Sequence, residues 1–424
     1  MLGRPSPLNA GAVSKAVAAL IKEGLLTQDP PKADYEQRAG RPIKPLRLGS
    51  DKWGLMGIKI IHQDGRPTAL TGIITKLRLD LSDVLVWDEI PLPSSASLSN
   101  LAEHLQSFAI SLLDRLAAVD GFTTRQILGL GVEIGGHVKD GRVIGATHVG
   151  LPADEDYDLR TPLHESLGIP VVIDNDVNVL AARELYRHEY PERDIAVVAV
   201  FEDGVGGSLI LDGHVYRGGG GMAAEPGHIP VRETAPAADE GTLSKAPGRG
   251  FLAACHCGQK NHIDCYAVPA RMRSELGHDV SFEEAALAPA RNEEGDLTRE
   301  GSVFSQGGRA LGQGVATIIN IINPARMVVI LPSSLVPASR TNGTAAAAYI
   351  SALEATVTSE CFSTGAKDAR PDGGLLTIEG LHPNEVGFVG AHSAALRAFD
   401  AFVSHARGRD DCHQIPSQVS TAVA

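Results

Sequence analysis

Residues 169–186 of this 424-residue chain read IPVVIDNDVNVLAARELY. The apolar run at the start of the stretch is typical of a buried strand, and the apolar spacing after it is typical of a helix. An amide and a carboxylate, Asn175 and Asp176, stand where the two patterns meet. The stretch therefore predicts a strand that runs directly into a helix, with a pair of polar side chains at the junction.

Strands and helices alternate on both sides of this junction. Residues 54–61 and 69–81 predict paired strands, residues 97–119 a long amphipathic helix, and residues 127–134 a buried strand. Residues 307–331 predict another helix that leads to a buried strand. Such alternation indicates an α/β fold with helices on both faces of its sheets.

The composition is that of a globular protein, because 43% of the residues are apolar and 21% are charged, and a length of 424 residues predicts two or three domains. No apolar run approaches the length of a membrane helix, and residues 1–30 lack the pattern of a signal peptide. Three of the five cysteines fall within residues 255–265, which argues against a framework of disulfides. We therefore expect a cytoplasmic protein without membrane contact.

Charge is distributed unevenly along the chain. The formal net charge is −13, yet residues 1–52 contain nine Lys and Arg against five Asp and Glu. An acidic surface repels the phosphates of DNA, whereas a small basic module attached to an acidic body can bind them. DNA binding is therefore expected at the N-terminal segment.

Residues 10–26, AGAVSKAVAALIKEGLL, have the spacing of an amphipathic helix, and the residues after them predict two short strands around a wing with AGRP at its tip. The helix face opposite the apolar one is small or basic, as entry into a major groove requires, and the wing arginine could enter a minor groove. The residues predicted to contact DNA are Ser14, Lys15, Lys22 and Arg41. The alternative is a helix and hairpin that only stabilise the body. A winged helix-turn-helix has two helices before its recognition helix, so this module is expected to be truncated at its N-terminus.

Three motifs together resemble one known family. IDNDVNVLAARE at 173–184, DGVGGSLILDGHVYRGGGGMAAEPGHIPV at 203–231 and CHCGQKNHIDCYA at 255–267 are similar, in that order, to the ROK family of sugar kinases and sugar-responsive repressors. The N-terminal module, AGRP included, resembles the winged helix of the transcriptional-regulator branch, that of the xylose and N-acetylglucosamine repressors. The resemblance covers nearly the whole chain. It implies an actin/hexokinase-like (ribonuclease H-like) body of two sugar-binding lobes, and a homodimer or homotetramer.

The resemblance and the patterns together predict four segments. They are a winged-helix module at 1–50, a first α/β lobe at 51–175 onto which a C-terminal helix at 385–405 packs back, a second α/β lobe with a zinc-binding loop at 176–384, and a disordered tail at 406–424.

The family pattern binds one zinc through one histidine and three cysteines. In this chain His228, Cys255 and Cys257 match three of the ligands, and His262 falls on the third cysteine. A neutral imidazole is as good a zinc ligand as a thiolate, so a closed structural site with two cysteines and two histidines is expected, with Cys265 as the alternative fourth ligand. A set of free thiols on a loop is the other interpretation.

Sugar recognition needs carboxylates and amides that face vicinal hydroxyl groups. The residues that the resemblance assigns to the sugar are Asn175, Asp176, Glu225, His228 and Asp264. Asp176 matches the general base that deprotonates the attacking hydroxyl in the kinases. A lone Asn-Asp pair is otherwise more common as the N-cap of a helix.

The nucleotide side departs from the family pattern. Family kinases carry Asp-x-Gly-x-Thr on the first hairpin, but here Lys59 stands at the aspartate and Ile61 at the glycine. A Gly-Gly turn is expected after residues 323–330, and the chain reads LPSSL instead. We therefore expect no binding of ATP and Mg²⁺, and Asp176 would be a remnant of the base.

These observations favour a sugar-responsive ROK regulator, a repressor, that binds operator DNA and a sugar or amino sugar without phosphorylating it. One alternative is an ATP-dependent sugar kinase, similar to glucokinase or N-acetylmannosamine kinase, with a divergent nucleotide loop. Another is a sugar-binding protein that has lost DNA binding.

Overall fold

The structure is a computed structural model. It describes residues 10–28, 46–48, 50–63, 66–77, 83–119, 121–144, 156–186, 194–232, 255, 257–277, 281–337, 343–362 and 375–406. The predicted wing with Arg41 and residues 407–424 of the predicted tail lie outside this range. The chain divides into two compact units, residues 1–187 with 387–424 and residues 188–386.

The strands, in chain order, are β1 (Leu26–Gln28), β2 (Leu46–Leu48), β3 (Ser50–Gln63), β4 (Arg66–Leu77), β5 (Val84–Pro91), β6 (Ile127–Ile134), β7 (His137–Lys139), β8 (Arg142–Ile144), β9 (Asp156–Asp158), β10 (Val171–Asn175), β11 (Ile195–Val200), β12 (Val205–Leu211), β13 (His214–Tyr216), β14 (Arg326–Pro332) and β15 (Leu376–Leu381). The helices are α1 (Ala10–Lys22), α2 (Leu98–Leu116), α3 (Arg160–Leu167), α4 (Asp176–Tyr186), α5 (Pro269–Leu276), α6 (Phe282–Leu287), α7 (Arg299–Ile322), α8 (Ala345–Glu360) and α9 (Pro383–Ala406). None of these helices is long and apolar enough to cross a membrane.

The first unit is built on a mixed sheet of five strands in the order β10-β6-β3-β4-β5. Strands β3, β6 and β10 are parallel, and β4 and β5 are antiparallel to their neighbours. All eight residues of β6 are buried. A central parallel strand is covered on both faces, which is why its sequence is apolar throughout instead of alternating.

The second unit repeats this strand pattern. Its five-stranded sheet has the order β13-β12-β11-β14-β15, with β11, β14 and β15 parallel and the hairpin strands β12 and β13 antiparallel. Helices α7 and α8 pack together in its core, where Phe304, Leu311, Tyr349 and Leu353 are all fully buried. Both units are thus α/β layers, as the alternation of the sequence predicts.

Helix α9 lies on one face of the first sheet. A Cβ atom on Gly57 would overlap the carbonyl oxygen of Ala391, and one on Gly131 would overlap that of Ala394. These two glycines are neighbours on β3 and β6. They let the backbone of the helix approach the backbone of the sheet closely.

The N-terminal helix α1 is followed by an antiparallel pair of strands, β1 and β2. Leu25, only 4% exposed, packs together with half-buried Leu20 into an apolar cluster that includes Trp53 and Phe399. The indole N–H of Trp53 donates to the carbonyl oxygen of Glu23 at 2.7 Å. The end of α1 and the residues after it are therefore held against the rest of the first unit by both apolar and polar contacts.

Candidate functional site

The predicted junction is a capped helix start at the carboxyl end of β10. The side-chain oxygen of Asn175 accepts hydrogen bonds from the backbone N–H groups of Val177, at 2.9 Å, and Asn178, at 3.4 Å. Its side-chain amide donates to the carbonyl oxygen of Gly136 at 2.9 Å. Asn175 therefore caps α4 and anchors the turn after β6, and its amide keeps one N–H beyond these bonds. Half-buried Asp176 follows as the first residue of the helix.

A row of polar side chains crosses the first sheet one step before this edge. In the pairing register, Asp174 lies opposite Glu133, Glu133 opposite Lys59, Lys59 opposite Thr71, and Thr71 opposite Glu89. Lys59 and Glu133 form an ion pair, and the Thr71 hydroxyl donates to Glu89 at 2.9 Å. These five residues, one from each strand, are the polar row.

The ion pair in the middle of the polar row is almost completely shielded from water. The side chains of Lys59 and Glu133 are 12% and 2% exposed, and a Cβ on Gly390 of α9 would overlap both. One carboxylate oxygen of Glu133 has no hydrogen-bond partner among the described residues. Burial raises the pKa of Glu133, the Lys59 ammonium opposes the rise, and the charge of Asp176 adds to it.

Asp174, at the end of the polar row, is bonded on both sides. One carboxylate oxygen accepts from the guanidinium Nε of Arg397, on α9, at 2.6 Å. The other accepts from the backbone N–H of Asn175 at 2.9 Å and from the side-chain amide of Asn178 at 3.1 Å. The carboxylate therefore connects the junction to the helix that covers the sheet.

In the second unit, four side chains from two segments converge, one from the turn Pro226–His228 and three from the loop that contains the cysteines. The ligand atoms of His228, Cys255, Cys257 and His262 all lie within 4.8 Å of one another. The Cys255 sulfur is 3.4 Å from Nδ1 of His228, and the Cys257 sulfur is 3.6 Å from Nδ1 of His262. We call these four residues the metal group, because they could hold one metal ion.

Backbone hydrogen bonds hold the two segments of the metal group together. Residue 230 forms an isolated β-bridge with residue 262, flanked by a bond from the N–H of Ile263 to the carbonyl of Ile229 at 3.2 Å. The N–H of Cys255 donates to the carbonyl of Gln259 at 2.8 Å, and the N–H of Gly258 donates to the carbonyl of Cys255, also at 2.8 Å. The sequence thus forms a tight turn that presents Cys255 and Cys257 on the same side as the histidines.

The donor set and its spacing fit a tetrahedral metal. With Zn–S near 2.3 Å and Zn–N near 2.0–2.1 Å, the edge between a sulfur and a nitrogen ligand is about 3.6 Å. The two sulfur–nitrogen distances of the metal group, 3.4 and 3.6 Å, are close to that edge. Burial raises the pKa of the Cys255 thiol to about 12 in the protein without an ion. A bound cation would favour the thiolate instead.

Asp264 and Cys265 lie next to the metal group. Asp264 is 8% exposed, and its carboxylate accepts from the backbone N–H of Val205 at 2.8 Å and from the thiol of Cys255 at 3.5 Å. Cys265, the alternative ligand, is 1% exposed and directs its thiol to the carbonyl of Gln259 at 4.0 Å. Asp264 therefore connects the cysteine loop to β12, and a sugar contact from it stays a prediction.

The remaining predicted residues have simple positions. Glu225 is half-buried and precedes a short 3₁₀ turn, Pro226–His228, that carries the exposed imidazole of His228. Ser14, Lys15 and Lys22 are all exposed on α1.

Sequence reasoning missed the residues that support the junction. Glu133 was detectable as the one charge in the apolar strand ILGLGVEI, and Arg397 as a charge in the small, apolar stretch SAALRAF at 393–399. Asp174 directly precedes the predicted pair. A charge inside an apolar segment is a signal because buried charges need partners. The sequence does not say which partner each one has.

Comparison with known proteins agrees with this architecture. Residues 97–357 match the profile of the ROK family. The xylose repressor of Bacillus subtilis (strain 168) is 23% identical over 339 residues, which are 79% of this chain and 77% of that protein. A glucokinase of Halalkalibacterium halodurans is 26% identical over 220 residues, which are 48% of this chain and 61% of the glucokinase.

Among solved structures, a ROK family transcriptional regulator described as a homologue of the E. coli MLC protein has a TM-score of 0.63 at 18% identity. The similarity covers 92% of this chain and 88% of that one. At this identity it shows the fold, and the predicted actin/hexokinase-like α/β architecture is confirmed. Since the family profile spans more than half of its length, the chain belongs to the ROK family.

Proposed function

We propose that the protein is a sugar-responsive transcriptional regulator that binds a sugar without phosphorylating it. The observation that carries the proposal is the buried Lys59–Glu133 ion pair, which stands where the family's kinases carry an aspartate for the nucleotide and its metal. An ammonium group repels Mg²⁺, which prefers oxygen ligands, and Glu133, opposite it on β6, is already paired with it.

A second feature of the nucleotide side supports the same conclusion. Where a Gly-Gly turn would follow residues 323–330, the chain has Leu331 and Pro332, the last two residues of β14, and then a 3₁₀ turn, Ser333–Leu335. Proline has no N–H to offer a phosphate, and the side chain of Leu331 is fully buried in the core. Pro332 therefore offers no backbone donor to a nucleotide, and Leu331 lacks the open backbone of a glycine.

The residues assigned to the sugar are polar groups suited to a carbohydrate. Asp176 is half-buried at a helix start, with Glu133 close enough to interact electrostatically, and Asn175 retains one amide N–H. Glu225 and His228 are the candidates in the second unit. Carboxylates and amides of this kind accept and donate to vicinal hydroxyl groups.

DNA recognition is assigned to α1, with Ser14, Lys15 and Lys22 exposed on it, and to Arg41 in the wing that the sequence predicts. The similarity to the xylose repressor supports this assignment, and the regulator would act in the cytoplasm as a homodimer or homotetramer. The metal group would hold a structural zinc, since a four-ligand site leaves no position for a reacting water. Its role would be to fix the turn that carries His228.

Fluorescence anisotropy with the duplex upstream of the protein's own coding region tests the proposal. Binding should be sequence-preferring and salt-sensitive, and one of D-xylose, D-glucose or N-acetyl-D-glucosamine should change the affinity. A coupled ADP-release assay with the same sugars and Mg-ATP tests the kinase alternative, which the glucokinase similarity favours. Turnover that disappears in Asp176→Asn would overturn the proposal, and so would the absence of any sequence-preferring binding.

A further inference from the structure

A buried ion pair joins α9 to the strand that carries the sugar junction. The side chains of Arg397 and Asp174 are 4% and 0% exposed, and their Nε–Oδ2 distance is 2.6 Å. Burying two charges is costly, and replacing such a pair with apolar residues is often neutral for stability. We therefore look for a role of the Asp174–Arg397 pair other than stabilising the fold.

The same carboxylate fixes the backbone at the junction. Its second oxygen accepts from the N–H of Asn175 and from the side chain of Asn178, so both the last residue of β10 and the first turn of α4 are bonded to it. Asp176 lies between these two contact points in the sequence. The position of the Asp176 carboxylate is thus determined in part by where Arg397 holds Asp174.

Helices α9 and α4 both contribute side chains to the apolar cluster that contains Leu25, just after α1. Leu396 and Phe399, on either side of Arg397 along α9, belong to the apolar cluster that contains Leu25 of the α1 end. Tyr186, the last residue of α4, packs edge-to-face on Phe399 with ring centroids 5.7 Å apart. A shift of either helix would change the packing around Leu25.

We propose that Arg397 is a positioning residue that couples ligand binding at the junction to the N-terminal helix α1. This inference rests on the proposed function, because it takes the Asn175–Asp176 junction as part of the sugar site. A sugar that hydrogen-bonds to Asp176 favours one position of the β10–α4 turn, and the Asp174–Arg397 pair transmits that position to α9. The ligand shifts the equilibrium only by its differential affinity for the two positions.

The test combines two measurements on the full chain. Calorimetry with D-xylose, D-glucose and N-acetyl-D-glucosamine identifies a sugar that binds and gives its affinity. Hydrogen exchange followed by mass spectrometry then compares the amides of Ala10–Lys22 without sugar and at saturating sugar. The variants are Arg397→Met, the conservative Arg397→Lys and the control Arg142→Met, which removes a partly exposed Arg–Asp pair from the same unit.

In the wild type and in Arg142→Met, saturating sugar should change exchange in α1 by about fivefold or more. In Arg397→Met the change should disappear at saturation, whereas Arg397→Lys, which keeps the charge, should restore part of it. A role in folding alone would lower the melting temperature and leave the sugar-dependent change intact. Should Arg397→Met fail to fold, Arg397→Lys decides, because its response must fall below that of the wild type.

Two failures are distinguishable. If no sugar binds the wild type, the proposed function is wrong and this inference falls with it. If sugar binds and α1 responds equally in the wild type and in both Arg397 variants, or does not respond in the wild type, the inference alone is wrong.

Discussion

Replacing Lys59 with methionine should strongly destabilise the first unit. The change keeps most of the apolar length of the side chain and removes the ammonium, which leaves Glu133 as a buried charge whose second oxygen already has no hydrogen-bond partner among the described residues. Breaking a buried ion pair by deleting one partner costs about 3–5 kcal/mol. Because Lys59 and Glu133 are only 12% and 2% exposed, water can screen little of that loss.

For a unit of this size, 3–5 kcal/mol corresponds to a fall of about 6–20 °C in the midpoint of thermal unfolding. Differential scanning calorimetry measures it. Lys76→Met is the matched control, because Lys76 lies on β4 of the same sheet and pairs at 2.9 Å with Asp51, which is 71% exposed. A surface pair of this kind contributes about 0–1 kcal/mol, so the control should shift the midpoint by only a few degrees.

The deficit of Lys59→Met should also depend on pH. Burial already raises the pKa of Glu133 above its ordinary value of 4.5, and loss of Lys59 removes the group that opposes the rise. A carboxyl group with a raised folded-state pKa contributes its full stability below the unfolded value and loses it as pH rises through the folded value. The variant should therefore approach the wild type near pH 4.5 and fall further behind as the pH increases.

The double variant Lys59→Met with Glu133→Met separates charge from packing. It removes both charges and should recover most of the lost stability, since an apolar pair can replace a buried ion pair. If Lys59→Met unfolds at the same temperature as Lys76→Met, or if its deficit does not change with pH, then Glu133 is not the buried, paired carboxylate inferred here.

Three further predictions concern ligands. Cys257→Ser should lower zinc affinity by more than about 100-fold, which is the upper range for loss of an outer-shell partner. Cys361→Ser, outside the metal group, should leave zinc affinity unchanged, and competition with a chelator measures both. Asp176→Asn should weaken sugar binding about 10- to 150-fold, the equivalent of one charged hydrogen bond, and unchanged calorimetric affinity would remove Asp176 from the site. Lys15→Ala and Lys22→Ala should each weaken binding to all DNA sequences alike. Each should also reduce the slope of the logarithm of the DNA-binding constant against the logarithm of the salt concentration by about 1. A salt dependence equal to that of the wild type would show that neither lysine contacts phosphate.

Local patterns in the sequence are enough to predict the strands, the junction and the metal group. The apolar run of β6 and the strand-to-helix change at residue 175 need only neighbouring residues to be recognised. His228, Cys255, Cys257 and His262, chosen from a motif, are also the four residues whose ligand atoms the structure brings within 4.8 Å. In each case the information lies within a short stretch or in two motifs joined by a resemblance.

Long-range pairing is what the sequence does not reveal. Arg397 and Asp174 are 223 positions apart, and Lys59 and Glu133 meet because β3 and β6 pair in one particular register. A one-residue change of register would place their side chains on opposite faces. Asn175 shows a related limit, because its type and position fit a ligand contact and a helix cap equally well. Only the hydrogen bonds show that its side-chain oxygen serves the cap and that one of its amide N–H groups serves the turn after β6.

The position of α9 at the far end of the chain has a consequence for biosynthesis. The ribosome delivers the sheet of the first unit early, but the helix that covers its glycine-lined face follows only after the whole second unit has been made. Until then the nascent sheet exposes Leu55 and Ile73, which are fully buried in the finished protein. A fragment released before α9 would leave that apolar surface open to aggregation and proteolysis, and its N-terminal helix would lack Phe399 beneath it. Prematurely terminated products would therefore lack a firmly packed N-terminal helix.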